Sequence, residues 1–525
     1  MPSATTKQKP HTSSRSKTSH DVVVVGGGPA GSVLSWELAR RGINVLLLDR
    51  AEFPREKVCG DYVEPRGLRL LSMIGCLPEL ERQGLLPITH SATYINSECC
   101  YRGRIPFYGS TTDLPPHGYI ISRETLDHSL LRAAAGAGAK IYEGTLVKRL
   151  TFGSKAVSIE AKRKGRDLTF QSPIVIGADG VNSIVARSAG MLADDPRHIA
   201  LSQRTYADGL DGEIGEAAFF FDKEFFPGYG WLFPMGSGRV NLGVGVLSET
   251  AQRLKIKVPE LFKNFFFRLK RSHHRYSKLR LCRPPIGGIV KTYGGAGANY
   301  FDRGLLIGDA GSFVDPMTGE GITPAMESAL LAAPTIVKTL EQRRFDGASL
   351  AEYNSAFRGY FDPSMVFVDL CAAMMRNPHF ADCWLRAVRR GCEVAQKDLN
   401  FARTAGACFG GLEIEPTNVL WEVWKNVTSE IITSPAKSIV GFMSGSANNN
   451  LGLLEDWWQL QISTWQSLLD DPVWHAGWLL DLQKKWLRAC ALISKRTGDP
   501  RSVGLAQRDA KRLNSEMSVG LRQRC

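Results

Sequence analysis

Gly26, Gly28 and Gly31 fall at the spacing G-x-G-x-x-G inside VVVVGGGPAG, and an acid, Asp49, follows Gly26 by 23 residues at the end of a second apolar run, INVLLL. Each residue type suits a dinucleotide. Gly26 permits a tight turn, Gly28 lets backbone approach a pyrophosphate, and Gly31 lets helix and strand pack closely. Pro29 and Ala30 open a helix whose first amides and positive dipole end face the phosphates. Asp49, with Arg50 beside it, stands where a carboxylate accepts ribose hydroxyls. The glycines alone are weak evidence; a strand before, a helix after and the acid at this distance make a dinucleotide site.

Those residues need a parallel sheet to hold them. Residues 22–25 are four valines, which read as a strand buried on both faces. Two later apolar runs, IVIGADG and GLLIGDAG, set Asp179 and Asp309 at the C-terminal edge of a strand, the edge where open α/β sheets bind ligands. A helix is expected over residues 323–341. Residues 91–107 and 201–247 alternate apolar and polar, as half-buried antiparallel strands do. Ser122 caps a helix running to about residue 139, and two or three strands follow over 146–171.

The expected fold class is therefore α/β: a Rossmann-type domain with a parallel sheet, an inserted antiparallel β-sheet substrate domain and a C-terminal helical region. The cofactor domain comprises residues 21–90, 119–200 and 291–345. The inserted sheet takes residues 91–118 and 201–290, and the helical region residues 346–495. A basic leader (1–20) and a basic tail (496–525) flank them.

Composition narrows the class. A chain of 525 residues exceeds what one core usually supports, and 43% hydrophobic with 22% charged residues is globular. Residues 1–20 and 495–525 supply nine of the thirteen net positive charges, so no nucleic-acid surface is expected on the folded part. The ends read as solvated and disordered rather than as a transit segment. Eleven cysteines, an odd number without a C-x-x-C pair, indicate a reducing, cytoplasmic setting. No metal-ligand spacing is read, and no apolar run reaches about 18 residues, so no spanning helix is expected.

Five motifs in this order resemble the geranylgeranyl reductase family of flavoproteins, within the wider fold of p-hydroxybenzoate-hydroxylase-like FAD enzymes. They are GGGPAG, F-P-R-x-K-x-C-G-D followed by Pro65 and Arg66, GADGVNSIVAR, Y-x-W-x-F-P and GDAGSFVDPMTGEGI, covering residues 21–341. Ala186 stands where the hydroxylases usually carry Arg. The resemblance implies FAD as the tightly held cofactor. It implies Asp309 on the ribityl chain, Gly319, Gly321 and Ile322 at the ring carbonyl, and Arg123 near the flavin and its diphosphate. It places Cys59 beside the flavin and the substrate double bond, and Tyr229 and Trp231 along the substrate cavity. The GGAGAN stretch at Gly294 reads as a loop, so electrons are expected from transient NAD(P)H or a carrier protein such as reduced ferredoxin.

Several residues carry two readings. Cys59 is a proton donor or a packing residue; Tyr229 and Trp231 line a cavity or fill a core, the three flanking residues Pro227, Gly228 and Gly230 favouring the cavity. Asp315 and Glu320 are acid–base groups or helix caps. Trp474, Trp478, Leu482 and Trp486 form one helical stripe near Lys484, Lys485 and Arg488, which is either packed on the catalytic domains, the favoured reading, or in peripheral contact with a membrane.

The activity the resemblance implies is FAD-dependent reduction of a carbon–carbon double bond in an apolar, isoprenoid-like small molecule. A flavin monooxygenase acting through a flavin hydroperoxide shares the fold and is the alternative. A flavin halogenase ranks lowest: its W-x-W-x-I-P is Y-x-W-x-F-P here, and no lysine lies between Lys57 and Lys140. A flavin-binding scaffold draws support only from the tails and the Trp-rich region.

Overall fold

The computed structural model describes residues 18–105, 114–212, 214–295, 297–399, 401–402 and 451–497. Most of the basic leader, nearly all of the basic tail, Phe107, Trp421 and Trp424 lie outside them.

The three apolar runs singled out above become neighbours in one six-stranded sheet. Its order is Tyr300–Phe301, Gly304–Leu306, Ile174–Gly177, Val22–Val25, Val45–Leu48, Lys140–Tyr142, parallel throughout except for the first pair. Every residue of the four central strands is buried. Helices Pro29–Ala39, Arg123–Gly136 and Ile322–Gln342 cover one face in a single apolar core. A second sheet, Thr145–Phe152, Val157–Arg163 and Arg166–Ser172, covers the other face. Thr18–Ser19 joins that sheet as a parallel edge strand, so the end of the segment expected as leader takes part in the fold.

A larger, mostly antiparallel sheet brings together segments far apart in sequence. His90–Ile95 and Glu98–Arg104 pair beside Glu216–Phe221, which continues through Tyr229–Gly236 and Arg239–Leu247 to Ile199–Asp208. Arg239–Leu247 does not alternate as expected: residues 240–244 are all buried. The reason is helix Val258–Ser272, absent from the sequence reading, which lays Phe262, Phe265 and Leu269 on one face, while Trp231 and the Cys59 loop cover Asn241 and Gly243 on the other. Gly294, in the expected loop, has φ +99, and an added Cβ would meet Asp369 Oδ2 and His198 Cε1, both at 2.9 Å.

The C-terminal helices Gly347–Met375, Ala381–Lys397, Leu451–Asp470 and Pro472–Thr497 pack on the rest of the molecule. The expected tryptophan stripe splits. Trp478 is buried and donates to Ala373 O at 2.8 Å, and Trp474 donates to Glu249 at 3.0 Å, whereas Trp486 is exposed. Lys485 is buried against Asp369 and His198 rather than offered to an anionic surface. The exposed apolar row is a different one: Trp458, Ile462, Trp465 and Leu469 on one helix, Val473, Leu480 and Leu487 on the next. No helix among the described residues is long and apolar enough to cross a membrane.

Gly31 is the tightest joint in the cofactor domain, since a Cβ there would lie 1.8 Å from the carbonyl oxygen of Gly26. Gly31→Ala is expected to cost about 1–3 kcal/mol through overpacking, seen as a lower melting temperature and less flavin retained on purification. An unchanged melt would show that helix and strand can separate freely.

Candidate active site

One cavity, about 1690 Å³ with its mouth, opens between the parallel-sheet domain and the larger sheet. Its near wall is the loop from Lys57 to Asp61 and the start of helix Ile322–Gln342; its far wall carries Phe219, Tyr229, Trp231 and Phe233.

The residues on the near side fit FAD. Gly28 precedes helix Pro29–Ala39 in extended backbone, and a Cβ there would point at Arg55 Nη2 (3.7 Å) and Arg123 Nη2 (3.9 Å). Backbone, helix dipole and two guanidinium groups thus converge on the place a diphosphate occupies. Arg123 is buried and aimed by Asp127 through two 2.8 Å hydrogen bonds, and Arg55 meets the same carboxylate at 2.8 Å. Asp49 accepts from Gly27 N at 2.6 Å and Ala51 N at 2.7 Å, which fixes its carboxylate beside the glycine turn; Arg50 is exposed next to it. Ala30 sits under Gly308, whose added Cβ would lie 2.9 Å from that of Ala30. Asp309 lines the cavity and is paired with Lys57 at 3.0 Å. Gly319, with φ +69, Gly321 and Ile322 form the cavity rim at the helix start.

Asp179 stands beside the glycine turn, its Cα 2.8 Å from where a Cβ on Gly26 would lie. Its carboxylate turns onto the following helix, accepting from Ile184 N at 2.6 Å, and it does not line the cavity. Asp315 accepts from the amides of Met317 and Thr318, both at 2.8 Å, closing a turn; Glu320 accepts from Thr323 N at 2.8 Å. The capping reading describes both.

The far wall is a run of touching rings. Phe219–Tyr229, Tyr229–Trp231 and Trp231–Phe233 have centroids 5.8, 6.1 and 6.3 Å apart, and Tyr62 on the near side meets Phe233 at 5.8 Å. Trp231 lies over Gly243, where a Cβ would fall 2.3 Å from its ring. The Tyr229 hydroxyl donates to Thr318 O, joining the two walls.

The loop that presents Cys59 is held by two residues the sequence reading missed. Arg204, fully buried, donates to the carbonyls of Lys57 (2.8 Å) and Cys59 (3.0 Å) and to Glu56 (3.0 Å). Asn241 donates to Cys59 O (2.9 Å) and Asp61 (2.8 Å) while accepting from Trp231 Nε1 (2.9 Å). Asn241 had a signal, a lone amide in the apolar run VNLGVGV; Arg204 had none.

Burial sets the protonation here. Desolvation raises the Cys59 thiol above its ordinary range, with Arg123 opposing, so it is a thiol at neutral pH. Desolvation also pushes Asp61 up to about 6 despite Arg204, Tyr206 and Asn241. Tyr206 donates to its Oδ2 at 2.5 Å, while Oδ1 is buried without a partner.

Fold and site together define an FAD-dependent oxidoreductase. A family profile described as an FAD binding domain matches residues 19–208. Digeranylgeranylglycerophospholipid reductase 2 of Methanopyrus kandleri is 30% identical over 352 residues, 65% of this chain and 83% of that one. Menaquinone reductase of Mycobacterium tuberculosis is 31% identical over 332 residues, 60% of this chain and 76% of that one. A geranylgeranyl bacteriochlorophyll reductase-like structure from Thermoplasma acidophilum superposes with a TM-score of 0.63 at 19% identity, covering 80% and 99% of the two chains. The chain belongs to the geranylgeranyl reductase family.

Asp61 makes stability depend on pH in a stated direction. Its folded-state pKa of about 6 lies above the unfolded value of about 4, so ionisation destabilises the fold as pH rises through that window. Asp61→Asn keeps an acceptor for Tyr206 and Asn241 but cannot ionise. Its unfolding free energy relative to the natural protein is expected to grow by up to about 3 kcal/mol between pH 4 and pH 7; a difference constant with pH would contradict the assignment.

Proposed function

We propose that the protein reduces a carbon–carbon double bond of an apolar, isoprenoid-like substrate, with electrons from transiently bound NAD(P)H or a carrier protein such as reduced ferredoxin. The observation that carries this reading is the aromatic wall from Phe219 to Phe233 standing across one cavity from the glycine-rich rim and Cys59. The reductase relatives, named for an isoprenoid-bearing lipid and an isoprenoid quinone, support it.

Reduced FAD, when bound, supplies the hydride. The chain does the rest. Phe219, Tyr229, Trp231 and Phe233 bind the apolar chain and exclude water, so that binding energy from remote isoprene units fixes the reacting bond. Cys59, kept protonated by burial, hands a proton to the carbon that does not receive hydride. The exposed row from Trp458 to Leu487 suits a lipid surface from which such a substrate is drawn.

Anaerobically reduced holoprotein mixed with geranylgeranyl diphosphate is expected to recover oxidised flavin absorbance and release a product two hydrogen atoms heavier. Reoxidation by oxygen alone, through a transient hydroperoxide absorbance and with the alkene inert, would replace this reading with a monooxygenase. Trp465→Ala combined with Leu469→Ala should reduce co-sedimentation with anionic vesicles severalfold; pelleting that ignores both changes would remove the lipid surface from the account.

A further inference from the structure

Glu64 and Glu320 are ionisable groups in the cavity wall that the proposed hydride transfer does not use, and their capping bonds occupy one oxygen of each. Glu64 is buried at the start of helix Pro65–Ile74, and a cap needs only one of its oxygens. Oε2 fills that role, accepting from Gly67 N at 3.2 Å, and also accepts from the Thr323 hydroxyl at 2.8 Å. Oε1 is buried with no hydrogen-bond partner. Thr323 reaches the other carboxyl with its own amide, donating to Glu320 Oε1 at 2.8 Å, so one residue bridges both acids. Gly67 makes room for the bridge: a Cβ there would lie 2.6 Å from Thr323 Oγ1 and 2.9 Å from Glu64 Oε2.

Arg66 is the cation that acts on both carboxylates, with Arg69 beyond it beside Tyr360. Arg66, on the helix Glu64 caps, gives Nη2 to both oxygens of Glu327 at 2.5 and 2.6 Å, and Tyr360 donates to the same carboxylate at 2.7 Å. Arg66 therefore faces three glutamates, with Tyr62 and Tyr360 as the neighbouring hydroxyls. Two buried carboxyls joined through one threonine, in a wall with that charge balance, favour their protonated forms. Burial raises the proton affinity of both, the Glu327 charge adds to it at each, and Glu64 raises that of Glu320 further.

We propose that the Glu64–Glu320 pair, bridged by Thr323, is the proton store of this cavity. The inference rests on the reductase reading. Each reduction of a double bond takes one hydride and one proton; Cys59 gives its proton to the second carbon and is left a thiolate that burial disfavours. One proton then passes from the pair to the sulfur, and the pair regains a proton from solvent before the next turnover. Tyr229, whose hydroxyl donates to Thr318 O, lines the same cavity as both acids and Cys59. Glu64 and Glu320 act through Cys59 and are positioning residues for the proton.

The test uses holoprotein with flavin content confirmed, dithionite as reductant and geranylgeranyl diphosphate as alkene. At neutral pH the unmodified protein should show an infrared band of a buried carboxylic acid that Glu64→Gln and Glu320→Gln each remove, that Thr323→Val shifts and that Cys59→Ser leaves in place. In the two glutamine variants the first turnover keeps its rate, because Cys59 already carries its proton. Later turnovers slow about 100-fold, the scale of a lost proton-transfer group, and the natural fall in rate as pH rises and the pair ionises disappears. A missing carboxylic-acid band, or later turnovers and a pH profile unaffected by both variants, overturns the proton store while leaving the reductase reading intact. An alkene that never reoxidises the unmodified holoprotein overturns that reading, and this role with it.

Discussion

The site depends on one buried cation. Arg204 comes from the middle of the larger sheet, is wholly removed from solvent, and uses its donors on two carbonyls and a carboxylate of the loop that precedes Asp61. An isolated buried guanidinium would be very costly, so its hydrogen bonds are a condition of folding rather than an addition to it. Because all those partners lie in one loop, the sheet and the cofactor domain cannot dock without fixing Cys59 in place. Asn241, on the neighbouring strand, repeats the arrangement, tying the same carbonyl to Trp231 on the far wall. Near wall, far wall and loop are thus one hydrogen-bonded unit.

The chemistry follows from how little water that unit admits. In solution a cysteine near Arg123 and Lys57 would be a reactive thiolate; desolvation outweighs both and keeps it a thiol. The same cause acts on Asp61, Glu64 and Glu320, so this wall favours proton-carrying groups over charged ones. The diphosphate end is the reverse, with Arg55 and Arg123 charged around an Asp127 carboxylate that has no exposure. One cavity therefore runs from a strongly positive end to a neutral, aromatic one, a gradient that suits a charged cofactor tail and an apolar substrate.

What the sequence disclosed was local. Four valines, a glycine turn and an acid at the next strand's end are contiguous signals, and they appear as the centre of the parallel sheet with Asp49 beside the turn. The runs ending at Asp179 and Asp309 also declared their strands, but a strand-end acid can line the cavity, as Asp309 does, or turn its carboxylate onto its own helix, as Asp179 does; only the turn geometry decides. Arg204 and Glu64 were hidden because their partners lie 147 and 259 residues away, at Lys57 and Thr323. Periodicity showed an apolar stripe in the last helix but not what covers it, since packing on a protein and lying on a lipid demand the same spacing. Cys59 acquired meaning only from resemblance, there being nothing in a lone thiol in a charged loop to mark it.

The sheet order has a consequence for how the molecule is made. Val22–Val25 has Val45–Leu48 on one side, but its other neighbour, Ile174–Gly177, is completed by Gly304–Leu306, and the rim at Gly319 to Ile322 comes later still. During synthesis the glycine fingerprint emerges ahead of its later sheet neighbours, and then waits while the whole antiparallel sheet is translated. Long-range pairing of this kind forms late. Flavin capture is thus an event near the end of biogenesis, and a nascent chain stopped before its third core strand would carry the most recognisable motif of the protein with no pocket to put a cofactor in.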